Sequence, residues 1–118
     1  MQAGQKVTPG TIREDFEGCR RFLQAIGDET RQCILAALLE EDPQGRGMRV
    51  GEITAHTHLS RPAVSHHLKI LREAGVIRLR QEGTRNYYSI AARKQLDQLR
   101  ALVAHLEALL RREPAGGK

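Results

Sequence analysis

The chain has 118 residues, 40% hydrophobic and 28% charged, with a formal net charge of +5. That length suits one domain, and that balance suits a folded globule rather than a disordered chain. Aromatics make up 3% with no tryptophan, and the longest strictly apolar run, Ile34 to Leu39, is too short to cross a bilayer. The core is therefore expected to be aliphatic. The N-terminal MQAGQKVTPG lacks the apolar centre of a secretory signal. Two cysteines, Cys19 and Cys33, exclude a disulfide-dense scaffold and a four-thiolate zinc site. A cytoplasmic location with no membrane partner is the expectation.

Residues 1–10 carry Gly4, Pro9 and Gly10 without periodicity and are expected to form a flexible arm. From Thr11 the pattern turns helical. Ile12, Phe16, Cys19, Leu23 and Ile26 follow at spacings of four, three, four and three, a narrow apolar seam that Gly27 closes. Asp28 is a good N-cap for a second helix, and Glu29 suits its positive end. Ile34, Leu35, Leu38 and Leu39 give that helix a wide stripe suited to the core, and Asp42-Pro43 stops it. Gln44 to Gly47 reads as a loop, Met48 to Val50 as a short strand, and Gly51 to His58 as a short helix.

Ser60 is a second N-cap, with Pro62 in the first turn, where its missing N–H costs nothing. Val64, Leu68 and Leu71 form the buried stripe, and Gly75 is the stop. Val76 to Arg80 and Thr84 to Ile90 read as two strands of a hairpin around Gln81-Glu82-Gly83. A long helix starts at Ala92, with Leu96, Leu99, Val103, Leu106 and Leu110 at spacings of three, four, three and four. Pro114 and the following glycine pair end it, leaving a flexible tail over 113–118. The fold class is mainly α with a small β-hairpin. Two close helices joined by a tight turn and followed by a hairpin make a winged helix-turn-helix of about five helices plus the wing, over residues 11–112.

The charge is local. Between Ser60 and Lys94 lie eight basic residues and two acidic ones, a net +6, while the rest carries 11 basic and 12 acidic residues. Such a face points to polyanion binding, most often nucleic acid. A recognition helix needs short polar residues at its start, because that end enters the major groove. Here these are Ser60, Arg61, Ala63, Ser65 and His66. Arg61 suits bidentate bonding to guanine or a phosphate. Lys69 and Arg72, further along, suit phosphate, and Arg80 and Arg85 flank the hairpin turn, in reach of the DNA backbone or minor groove. Ser60 reads first as a cap, and His67 as packing on the buried stripe.

The stretch LSRPAVSHHLKILREAGVIRLRQEGTRNYYSI resembles the recognition helix and wing of the ArsR family of bacterial transcriptional regulators, and AIGDETRQCILAALLE is similar to its second helix. The most specific part is Ser65-His66-His67-Leu68, followed by Leu71-Arg72-Glu73-Ala74-Gly75. The resemblance implies a homodimer that binds double-stranded operator DNA, usually as a repressor. It also implies that the first and last helices meet their partner through Ile12, Phe16, Cys19, Leu99, Val103 and Leu106. Two-fold symmetry then matches an inverted-repeat operator.

Many members of that family sense metals. Where the family's thiolate core reads Cys-Val-Cys, this chain has Arg49-Val50-Gly51, and the last helix offers Asp97 and a single His105. No metal and no cofactor are therefore expected. Cys33 falls about a turn before the family's sensing thiol on the second helix, and the last helix has none. Gly-rich phosphate loops, Gly-x-Ser-x-Gly and His-Glu-x-x-His are absent, so no enzyme is expected. The reading is a DNA-binding regulator that represses as a dimer. The alternatives are a redox- or metal-responsive repressor of the same family, or a winged-helix module for protein interaction.

Overall fold

A computed structural model describes residues 9–112, so the tail at 113–118 and all but Pro9 and Gly10 of the expected arm lie outside the described residues. The elements run α1 (Pro9–Ile26), α2 (Glu29–Glu41), α3 (Val50–Thr54), α4 (Arg61–Glu73), β1 (Ile77–Glu82), β2 (Arg85–Ile90) and α5 (Arg93–Arg112). This is the expected winged helix-turn-helix, five helices and a two-stranded antiparallel hairpin. Helix α1 starts at Pro9, two residues before the expected Thr11. Two compact units share the chain: residues 21–92 form one, and residues 9–20 with α5 belong to the other.

In the 21–92 unit the caps fall where the sequence places them. The Asp28 carboxylate accepts the Arg31 backbone N–H at 2.9 Å, and the Ser60 hydroxyl accepts that of Ala63 at 3.3 Å. Helix α4 ends in a Schellman motif: Gly75 N–H reaches Arg72 O and Val76 N–H reaches Leu71 O, both at 3.0 Å. Gly75 takes φ +77°, a conformation that L side chains resist. Ile34, Leu38, Ile53, Val64, Leu68 and Leu71 are essentially fully buried and form the aliphatic core. Helix α2 packs on α3, α4 and β2, and α4 packs on α3 and β1.

Three local expectations change. The Met48–Val50 strand is a single bridge: Met48 and Tyr88 exchange both backbone hydrogen bonds at 2.8 Å. Val50 is instead the first residue of α3, because the Glu52 carboxylate accepts the Arg49 N–H at 2.8 Å and fixes a helix start there. Helix α3 stops at Thr54, four residues before the expected His58. There the Thr54 hydroxyl donates to Val50 O at 2.7 Å and the Thr57 hydroxyl to Thr54 O at 3.0 Å. Such local side-chain bonds compete with helix continuation. The hairpin turn is the pair Gly83-Thr84 rather than Gln81 to Gly83, since Glu82 pairs with Arg85. Gly83 takes φ +63°, and a glycine at positive φ in a two-residue turn matches the twist of its strands.

In the other unit, Cys19 and Leu102 are buried, while Phe16, Leu96, Val103 and Leu110 are exposed. His105 Nδ1 on α5 hydrogen-bonds the Asp15 carboxylate on α1. Among the described residues no helix is long and apolar enough to cross a membrane.

Candidate nucleic-acid interface

Burial of Val64, Leu68 and Leu71 turns the opposite side of α4 outward by helical periodicity. Ser60, Arg61, Ser65, His66, Lys69 and Arg72 are all exposed. Ala63 is half-buried, so its methyl offers less to a ligand than its polar neighbours do. An Nη of Arg61 lies 3.9 Å from where a Cβ on Gly51 would sit, so its head rests beside the start of α3. Ser65, Lys69, Arg72, Glu73 and Tyr88 line an open recess of about 380 Å³ between α4 and the hairpin. The Lys69 and Arg72 cations can hold an anionic oxygen there by charge-assisted hydrogen bonds, with the Glu73 carboxylate in the same lining opposing it. Tyr88 is a residue that sequence reasoning passed over. Its signal was only the β-prone Tyr87-Tyr88 pair, which does not reveal which strand face meets α4.

His67 is half-buried and is held from below. Its Nδ1 lies 3.3 Å from Arg31 Nη1, and since arginine only donates, Nδ1 is the acceptor. The Arg31 Nε donates to Ala25 O at 2.7 Å, and Nη2 to Gln24 O at 3.2 Å. One guanidinium thus ties the last carbonyls of α1 to the middle of the recognition helix. The Asp28 carboxyl is held below its usual range, chiefly by the Arg31 N–H it accepts, with the Arg31 charge adding to the effect.

In the wing, Arg78 and Arg85 are exposed. Arg80 is also exposed, but its head is engaged: Nε bonds the Glu82 carboxylate at 2.9 Å, Nη1 bonds Arg46 O at 2.8 Å, and Cζ lies 4.7 Å over the Tyr87 ring. The expected symmetry between Arg80 and Arg85 is therefore broken by two neighbours within the hairpin and by Arg46, 34 residues away.

Both cysteines are free. Cys19 is fully buried, and burial, reinforced by the Asp15 charge, pushes its thiol pKa up. Cys33 is exposed, because it falls outside the Ile34–Leu38 stripe. His105 finds a partner in Asp15, and Asp97 pairs loosely with Arg100 at 3.8 Å. Among the described residues, no three histidine, cysteine or acidic side chains converge as metal ligands would.

A helix-turn-helix whose second helix turns a basic, polar side outward beside a basic hairpin defines a winged-helix DNA-binding regulator. The chain belongs to the family described as bacterial regulatory protein, arsR family, whose family model matches residues 28–78. It is 39% identical over 77 residues to an uncharacterized HTH-type transcriptional regulator of Methanocaldococcus jannaschii, spanning 65% of this chain and 82% of that protein. It is 42% identical over 67 residues to the transcriptional repressor SdpR of Bacillus subtilis, spanning 57% of this chain and 69% of the repressor. The crystal structure of NolR from Sinorhizobium fredii matches with a TM-score of 0.60 at 29% identity, covering 84% of this chain and 93% of that one. These likenesses span the helix-turn-helix, so the chain is a DNA-binding transcriptional regulator.

Proposed function

We propose that the chain acts in the cytoplasm as a homodimeric repressor, without catalytic activity, on an inverted-repeat operator. The observation that carries this reading is the apolar surface left uncovered on α1 and α5, at Phe16, Leu96, Val103 and Leu110. Exposed apolar residues at seam spacing on long helices suit a second copy of the same helices. Ile12, Leu99 and Leu106, half-buried beside them, complete the proposed interface, whereas Cys19 has no free surface to offer. In such a dimer the two α4 helices read successive major grooves, one DNA turn apart. Ser60, Arg61, Ser65 and His66 face base edges or the nearest phosphates, and Lys69, Arg72 and Arg85 hold the backbone. Occupying a promoter-overlapping operator blocks transcription, and a repressor among the similar proteins supports that direction.

The test is a titration of DNA upstream of the chain's own gene over a series of salt concentrations. Affinity falls steeply with salt, because each phosphate neutralised releases counterion. If Arg61 reads a base, Arg61→Ala costs about 1–3 kcal/mol on the operator and little on unrelated DNA. An affinity that does not change with salt contradicts the reading.

A further inference from the structure

The loop between α2 and α3 is unusually well tied down for an exposed connection. The Asp42 carboxylate accepts the backbone N–H of Arg46 at 2.9 Å and of Gly47 at 2.8 Å. Gly47 has φ +108°, and a Cβ there would sit 2.7 Å from the Tyr87 Cβ, so the loop lies on β2 more closely than any side chain allows. One residue on, Met48 and Tyr88 exchange both backbone hydrogen bonds. Over this junction lies Arg80. It donates to the Arg46 carbonyl, stacks on the Tyr87 ring and pairs with Glu82 on its own strand.

We propose that Arg80 is a positioning residue rather than a DNA contact: it latches the α2–α3 loop onto the wing and so fixes the direction in which the wing presents Arg85. This deepens, and rests on, the DNA-binding reading of the same face. The Arg80–Glu82 pair alone is too exposed to stabilise much. The bond to Arg46 O is different, because it joins segments 34 residues apart and braces the one-residue rung that Met48 adds to the hairpin at Tyr88. A two-stranded hairpin by itself is marginal in water, and a wing held only at its base would meet DNA in many orientations. A planar guanidinium reaches a carbonyl, a carboxylate and a ring face together. A lysine ammonium keeps the charge and cannot reproduce that set.

The experiment compares Arg80→Lys with Arg80→Gln in two readouts: operator affinity over a salt series, and amide exchange at Met48 and Tyr88 in the free protein. The latch predicts that both variants lose about tenfold in affinity, the equivalent of one to two net hydrogen bonds. It also predicts that both speed exchange at Met48 and Tyr88 while the Leu68 amide stays protected. Gly47→Ala, which changes no charge, weakens binding through the same junction, and combining it with Arg80→Lys adds less than the sum of the two. An Arg80→Lys protein that binds like wild type, beside an Arg80→Gln protein whose salt slope is flatter by about one, would mark a phosphate contact and overturn the proposal. Unchanged exchange at Met48 and Tyr88 in both variants would overturn it as well. The exchange arm needs no DNA, so failure of the wild type to bind any DNA would overturn the functional reading separately.

Discussion

The two units of this chain solve different problems with similar helices. The 21–92 unit fully buries Ile34, Leu38, Ile53, Val64, Leu68 and Leu71, leaves Leu39 exposed, and closes its loops with side-chain and backbone bonds, from the Arg31 fork to the Arg46–Arg80 latch. The α1–α5 unit buries Cys19 and Leu102 but leaves Phe16 and Val103 nearly half exposed and Leu110 at 71%. Its helices carry apolar residues at seam spacing, yet much of that seam faces outward. Among the described residues, four of the five exposed large apolar side chains therefore lie on α1 and α5, the helices proposed to meet a second copy. In the proposed dimer this division assigns recognition to one unit and assembly to the other.

Substitutions on each side of the division sharpen it. Leu68→Ala removes a fully buried side chain from the centre of the reading unit and costs about 2–5 kcal/mol of stability. Thermal unfolding followed by circular dichroism reads this as a large drop in midpoint, whatever the state of assembly. Val103→Glu puts a charge on the exposed seam of α5. It leaves the reading unit folded but raises the dimer dissociation constant by at least about a hundredfold, since an unpaired charge does not enter an apolar interface cheaply. A Val103→Glu protein that stays dimeric would place the interface elsewhere.

Gly75→Ala is smaller. It forces a Cβ into the left-handed region at the end of the recognition helix and costs about 1–2 kcal/mol, measurable by urea titration. Smallest is the acid response of the α2 cap. The Asp28 pKa is lowered in the folded state, so the carboxylate stabilises the fold above the ordinary aspartate value of about 4. That contribution is lost as pH falls through the lowered folded value. Asp28→Asn keeps an acceptor but no titrating charge, so its stability falls less than that of wild type between about pH 5 and pH 2. Parallel stability–pH curves for the two proteins would contradict the cap's electrostatic role.

Much of this was legible in the sequence. Asp28, Ser60 and Gly75 announce helix ends through their own local chemistry, and the Val64–Leu68–Leu71 stripe announces the buried side of α4 through its period. The outward face of the recognition helix follows from that stripe. What stayed hidden depends on partners far apart in the chain. His67 is held by Arg31, His105 by Asp15, and Arg80 by Arg46 and Tyr87, and periodicity along one element says nothing of the element opposite. The short α3 was misread for a different reason. Its helical propensity is overridden by two threonine hydroxyls that bond back to the chain.

In the proposed dimer, two reading units are joined through the apolar seams of α1 and α5. Sedimentation equilibrium of the unmodified protein at about 20 µM, a concentration at which micromolar dimers are largely formed, tests it most directly. The expected result is a species of twice the 13.2 kDa chain mass, shifting to the single-chain mass in Val103→Glu. A wild-type protein that sediments as the 13.2 kDa monomer and still binds an inverted repeat with full affinity would contradict it.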